Sequence, residues 1–219
     1  FKSIQLPENG GVSKARNSGI NATDSEWVAF LDSDDIWHKE KLEKQISAAF
    51  ERPDHFLHFT DEIWIRNGLR INPKRRHQKL EGWIFQPSLE LCMMAPSTVM
   101  LKRELLEKCG LFDENLQVCE DYDLWLRITA HHQVALLNEA LMTRHGGHAD
   151  QLSRKYWGMD RFRVQSLKKI LANVSLHKED EIAARRVMRK KCKILLKGFR
   201  RRNKLDEVRY YESLLQNHC

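Results

Sequence analysis

Between residues 39 and 51 the apolar side chains Leu42, Ile46, Ala49 and Phe50 recur every third or fourth position, the spacing of one helix face, and Pro53 stops the run. Residues 10–22 read as a second helix opened by glycine, with Ala15, Ile20 and Ala22 available for packing. The apolar run at 27–32 reads as a buried strand, and 56–65 is aromatic and β-branched enough for another, with Asn67-Gly68 as a turn to a further short run. Residues 74–79 form a basic, exposed loop, and 88–94 suggests a short helix. Residues 97–102 read as a strand, 103–110 as a helix closed by Gly110, 120–129 as a helix and 134–137 as a strand. Beyond Lys155 the pattern is helical to the end, over 156–173, 179–202 and 205–217, with Asn203 as the break. Strands alternating with helices predict an α/β fold, a mixed sheet flanked by helices with a carboxyl-terminal helical appendage. No internal repeat interrupts this order.

Composition sharpens the division. The 219 residues are 42% hydrophobic and 31% charged, a balance that excludes a disordered chain. No apolar run approaches the roughly 18–20 residues of a membrane span. Residues 1–150 carry 18 basic and 23 acidic side chains, whereas residues 151–219 carry 19 and 7. The sign change predicts a boundary near 154, between an acidic domain (1–154) and a basic helical tail (155–219). The five cysteines are scattered without C-x-x-C spacing, which speaks against a zinc site or disulfide framework and for a reducing, cytoplasmic setting. The tail reads as an amphipathic helix with a solvated basic face, or as a surface for anionic lipid on the inner face of a membrane. Nothing in the first 150 residues supports nucleic-acid binding.

The candidate chemistry sits in Val28-Ala29-Phe30-Leu31-Asp32-Ser33-Asp34-Asp35, where a strand delivers three carboxylates to its carboxyl end. Open α/β sheets place ligands at that end. Two readings stand: Asp32, Asp34 and Asp35 gather around a hard divalent cation, or they form an acidic turn in which Asp35 caps a helix starting near Ile36. A second acidic group, Glu120-Asp121, opens a helix, where negative charge is favourable whatever its use.

Three blocks in order resemble the family 2 glycosyltransferases. They are Asn9-Gly10-Gly11 with Ala15-Arg16-Asn17-Ser18-Gly19, then Phe30-Leu31-Asp32-Ser33-Asp34-Asp35, then Glu120-Asp121-Tyr122-Asp123-Leu124-Trp125-Leu126-Arg127. The resemblance covers about residues 5–155 and implies a GT-A-like, Rossmann-like sheet. Measured against the family pattern, the chain starts after the strands ending in "P-x-Y-N" and "V-D-D-G-S", so an amino-terminally incomplete domain is expected.

The resemblance further implies an inverting, metal-dependent transfer of sugar from a nucleotide-diphosphate sugar, a UDP-sugar, to a saccharide or lipid-linked acceptor in cell-surface polysaccharide synthesis. It assigns Asp34 to the metal (Mn2+ or Mg2+), with His148 of the Arg144–Ser153 segment beside it and His145 as second choice. It assigns Asp32, Arg16 and Asn17 to the nucleotide, Asp121 to the base, and Glu120 to positioning the acceptor or a loop. Arg16 can equally be a structural partner of an acidic neighbour. Asp35 reads as a helix cap or as support for the ligands, Trp125 as core, Trp83 as an open sugar platform, and His131-His132 as surface. The competing function is a catalytically incomplete fragment acting as a binding or membrane-associated module.

Overall fold

The computed structural model describes residues 2–72, 74–147 and 156–217. Its sheet holds β1 (Trp27–Ala29), β2 (Asp35–Trp37), β3 (Leu57–Arg66), β4 (Leu69–Ile71), β5 (Val99–Lys102) and β6 (Ala135–Gly146). The order is β1-β5-β3-β6-β2, with β4 paired to β3. β3 and β6 run parallel and every other pairing is antiparallel, so the sheet is mixed. The helices are α1 (Gly11–Asn21), α2 (Lys41–Glu51), α3 (Phe85–Ser88), α4 (Arg103–Cys109), α5 (Glu120–Thr129), α6 (Asp160–Asn173), α7 (Lys178–Arg201) and α8 (Leu205–Asn217). The β3–β4 hairpin turns on Asn67 and Gly68, both at positive φ, as a two-residue loop between right-twisted strands requires.

α5 organises the core. Leu124, Trp125 and Ile128 face the sheet with Leu57, Phe59, Val99 and Leu101. Tyr122, Leu126 and Ala130 face the other way, into a cluster with Leu167, Ile170, Met188, Leu195 and Phe199 of the last helices. A helix apolar on both sides must be covered on both sides. The helical appendage therefore shares a core with the helix that carries Glu120 and Asp121. Each large apolar side chain buried there contributes about 1.5–3 kcal/mol relative to exposure.

Five local expectations change. The strand expected over 27–32 stops at Ala29 and is half-buried rather than buried. Asp35 caps no helix: it opens β2, opposite Arg144 of β6, and the next helix begins only at Lys41. The short helix expected at 88–94 lies earlier, at Phe85–Ser88, where Pro87 is tolerated in the first turn. Residues 89–94 are instead fastened to α5, by the Tyr122 hydroxyl donating to the Leu89 carbonyl at 2.7 Å and Trp125 Nε1 donating to the Met94 carbonyl at 3.0 Å. The strand expected to stop at 137 continues to Gly146, so Arg144, His145 and Gly146 are strand rather than loop. The basic loop is exposed only in part: Lys79 Nζ donates to Glu62 Oε1 at 2.7 Å and to the Met93 carbonyl at 3.0 Å.

Candidate active site

The chain leaves β1 at Ala29 and turns tightly, with the Asp35 N–H donating to the Asp32 carbonyl at 3.0 Å, before returning as β2. Ser97, fully buried, holds this turn from below. Its Oγ accepts from the Asp32 N–H at 3.0 Å and bonds the Asp35 carboxylate, while its carbonyl accepts from Trp37 Nε1 at 2.7 Å. Trp37 in turn lies under the Lys41 ammonium, 4.4 Å from the ring centroid. Lys41 is wholly buried, and that desolvation lowers its pKa to about 8.

The three aspartates go to different surroundings. Asp32 Oδ1 takes Arg16 Nη2 at 2.6 Å. Asp35 faces Arg144 and Ser97; burial and the neighbouring Asp34 push its carboxyl up, against those two partners. Asp34 is exposed, and its carboxylate makes no hydrogen bond or ion pair among the described residues. Among those residues no group of three or more His, Cys, Asp and Glu converges as a metal site. His148 lies outside the described residues, and His145 sits in β6 beside Ile65.

Arg16 links the two acidic motifs. Its second arm, Nη1, reaches Glu120 Oε1 at 2.7 Å, and its guanidinium rests 5.1 Å above the Phe112 ring. The two side chains of the Arg16–Glu120 pair are only 10% and 8% exposed. Burial, then the adjacent Asp121, push Glu120 up to about 7 in opposition to Arg16. The residue before it, Cys119, adopts left-handed φ 64° at the start of α5. Asn17 has a different place. Its carboxamide donates to the Phe112 carbonyl at 2.9 Å and to Glu114 at 2.8 Å, and accepts from the Phe112 N–H at 3.1 Å. Both amide hydrogens of Asn17 are thus used within the fold.

Asp121 is half-buried next to this pair. Its Oδ1 accepts from the Tyr122 N–H at 2.7 Å, and the Cys92 thiol reaches its Oδ2 at 3.4 Å. Arg144 completes the rim. Its own desolvation is outweighed by the charges of Glu62, Asp35 and Asp121, which keep it firmly protonated. Glu62, 6% exposed, is held below the usual carboxylate range by Lys79 and Arg144 despite the opposing cost of its burial. A cleft of about 560 Å3 between α1 and β1 ends at Arg16, Asp32 and Ser33.

The rest of the third block builds the frame. Asp123, fully buried, bonds Arg127 at 3.0 Å and Lys169 of α6 at 2.9 Å. Arg127 ties down the carbonyls of Cys109, Gly110 and Leu111. Trp125 is core, and Trp83 is exposed. Ser97, Lys41, Glu62, Arg144 and Cys92 join the site without having stood out as site residues in the sequence. The one available signal was the dense run of charges in 74–79, which reaches the site through Lys79.

Residues 1–110 match the family model described as Glycosyl transferase family 2. Among curated relatives, the putative teichuronic acid biosynthesis glycosyltransferase TuaG of Bacillus subtilis is 31% identical over 125 residues, 57% of this chain and 48% of TuaG. The Escherichia coli UDP-Glc:alpha-D-GlcNAc-diphosphoundecaprenol beta-1,3-glucosyltransferase WfgD is 34% identical over 128 residues, 58% of this chain and 48% of WfgD. The chain spans about half the length of these two relatives, and 22% of an uncharacterized glycosyltransferase of Rickettsia felis. Among solved structures, S. aureus TarS 1–349 in complex with UDP-GlcNAc superposes with TM-score 0.61 at 17% identity, covering 98% of this chain and 75% of that one. The Pyrobaculum calidifontis mannosyltransferase in complex with GDP-Man and Mn2+ superposes at 0.56 and 12% identity, covering 98% and 65%. The fold is that of the GT-A glycosyltransferases, and the chain belongs to glycosyltransferase family 2.

Proposed function

We propose that the chain is the catalytic part of an inverting, divalent-metal-dependent glycosyltransferase. It moves a sugar from a UDP-sugar to a saccharide or lipid-linked hydroxyl acceptor in cell-surface glycan synthesis. The observation that carries this reading is the Arg16 clamp, which joins Asp32 of one acidic motif to Glu120 of the other. The donor is suggested by the UDP-GlcNAc complex of TarS and by the UDP-Glc in the name of WfgD. The acceptor class is suggested by the diphosphoundecaprenol in that same name.

Asp121 takes the proton from the acceptor hydroxyl. Its Oδ1 is fixed by the Tyr122 N–H, and its Oδ2 receives the Cys92 thiol, so the carboxylate is aimed before substrate arrives. Glu120, pinned by Arg16, keeps the first turn of α5 in place. A base on the acceptor side, opposite the leaving group, makes the transfer a single displacement with inversion. The donor set at the turn fits a hard cation: Asp34 offers a free carboxylate, and such ions are held by one or two carboxylates with phosphate oxygens completing the shell. When bound, the cation supplies positive charge to the departing diphosphate. Asp34 is the residue that would hold it. Arg144, facing Asp35, Glu62 and Asp121, balances the negative charge of the rim.

The second reading is a binding module without chemistry, in which Arg16 serves only as the structural partner of Asp32 and Glu120. One assay separates the two. The chain is incubated with a panel of UDP-sugars and a diphosphate-lipid-linked N-acetylglucosamine acceptor, with Mn2+ or with EDTA. A glycosylated acceptor that needs Mn2+ supports the transferase. UDP-sugar binding without any product supports the binding module.

A further inference from the structure

From Ile182 to Leu205 the chain has no acidic residue and eleven basic ones. Most of this stretch is α7, whose one face is core: Ala184, Val187, Met188, Cys192, Leu195 and Phe199 are buried against the neighbouring helices. The opposite face presents Arg186, Lys193, Lys197 and Arg201 at helical spacing, all exposed. None of the four makes an ion pair or side-chain hydrogen bond among the described residues. Ile182 and Ile194 lie on the same face, 49% and 55% exposed.

A merely solvated helix face carries charges of both signs, which support one another at neighbouring turns. From Ile182 onward this face carries one sign, with two exposed isoleucines among the cations; the exposed Glu179 lies on it at the helix start. Such a surface repels itself unless an anionic partner neutralises it. The partner must be extended, because Arg186 and Arg201 are fifteen residues apart, roughly 22 Å along a helix.

α7 is also fixed to the segment beside Asp121. Lys190 Nζ lies 2.8 Å from Glu90 Oε1, and Lys191 Nζ donates to the Glu90 carbonyl at 3.0 Å. Glu90 is two residues from Cys92, whose thiol touches Asp121. A surface bound to α7 is thereby tied to the segment beside the base.

We propose that the exposed face of α7 docks on an anionic lipid bilayer and holds the acceptor side of the site at the membrane. The second half rests on the reading of Asp121 as the base; the docking itself does not. The apolar stripe of α7 is already used in the core, so the attachment is electrostatic and peripheral, and salt screens it.

The test is cosedimentation of the full chain with vesicles of phosphatidylcholine alone and of phosphatidylcholine mixed equally with phosphatidylglycerol, without donor or acceptor present. The chain should sediment with the mixed vesicles, stay in solution with the neutral ones, and be released as salt rises. The variant Arg186→Glu/Lys193→Glu/Lys197→Glu/Arg201→Glu changes only exposed positions and should lower the apparent affinity by at least about tenfold at low salt. Circular dichroism checks its fold, and Lys193→Gln/Lys197→Gln serves if the reversal unfolds. Duplex DNA as competitor is the third arm. Indifference to lipid charge overturns the proposal, as does equal binding by the folded variants. So does duplex DNA bound more tightly than the mixed vesicles at equal charge. Because binding is read without turnover, its failure leaves the transferase reading standing, and a failure of transfer leaves the docking standing.

Discussion

The Arg16 guanidinium lies 2.7 Å from Glu120, across 104 residues of sequence and in a site where both side chains are nearly sealed from water. The same guanidinium holds Asp32 at 2.6 Å. One planar fork thus registers the turn after β1 against the start of α5, a geometry that a lysine ammonium does not reproduce.

Arg16→Ala should therefore destabilise the fold by about 3 kcal/mol, because it leaves Glu120 buried without its counter-charge. Arg16→Lys should recover only part of that loss. Urea unfolding monitored by tryptophan fluorescence measures both. Equal stability of the lysine variant and the parent would mean that a point charge suffices.

His58 gives the fold an acid limb. It is 1% exposed, its Nε2 lies 2.9 Å from the His55 carbonyl, and burial pushes its pKa down to about 4. A folded-state value below the unfolded value of about 6.5 means that the unfolded chain binds more protons between those limits. The contribution is fully present above about pH 6.5 and is lost as pH falls toward 4, a change on the order of 3 kcal/mol. His58→Gln should flatten that part of the stability profile. Parallel profiles for the variant and the parent would contradict it.

The helices beyond residue 155 share a core with Tyr122, Leu126 and Ala130 of α5. A chain ending at Ser153 should lose cooperative unfolding, since the outer face of α5 would be laid bare. Thermal melting by circular dichroism reads this directly. A sharp transition in the truncated chain would show that the sheet and its helices stand without the appendage.

Much of this architecture is legible in the residue pattern, for identifiable reasons. α5 spans 120–129 as its pattern of apolar positions predicts, and the turn at Asn67-Gly68 and the break at Asn203 fall where positive φ is needed. β2 escapes because three residues, Asp35–Trp37, are too few to show a period. The outer half of β6 escapes because Asn138, Glu139 and Ala140 are exposed and break the apolar run. At the site, Asp32, Glu120 and Asp121 stand out as charge clusters. Ser97 and Cys92 do not, since a serine or a cysteine means nothing until the fold sets it against Asp32 or Asp121. The apolar stripe of α7 looks the same in sequence whether a core or a membrane covers it; packing gives it to the core.

Asp34→Ala should remove Mn2+-dependent UDP binding and leave stability within about 0.5 kcal/mol, because the side chain is exposed and makes no contact that the fold uses. Calorimetric titration of UDP with and without Mn2+ tests this. An unchanged Mn2+ effect in the variant would place the metal elsewhere.

Asp121, held by the Tyr122 N–H and the Cys92 thiol, is the group proposed to take the acceptor's proton. The most direct measurement is the turnover of sugar transfer by Asp121→Asn beside that of the parent chain, with UDP affinity measured on the same samples. Turnover should fall on the order of 10² to 10⁴, with UDP affinity unchanged within a few-fold. Transfer by the variant within a few-fold of the parent would contradict it and hand the proton to another group.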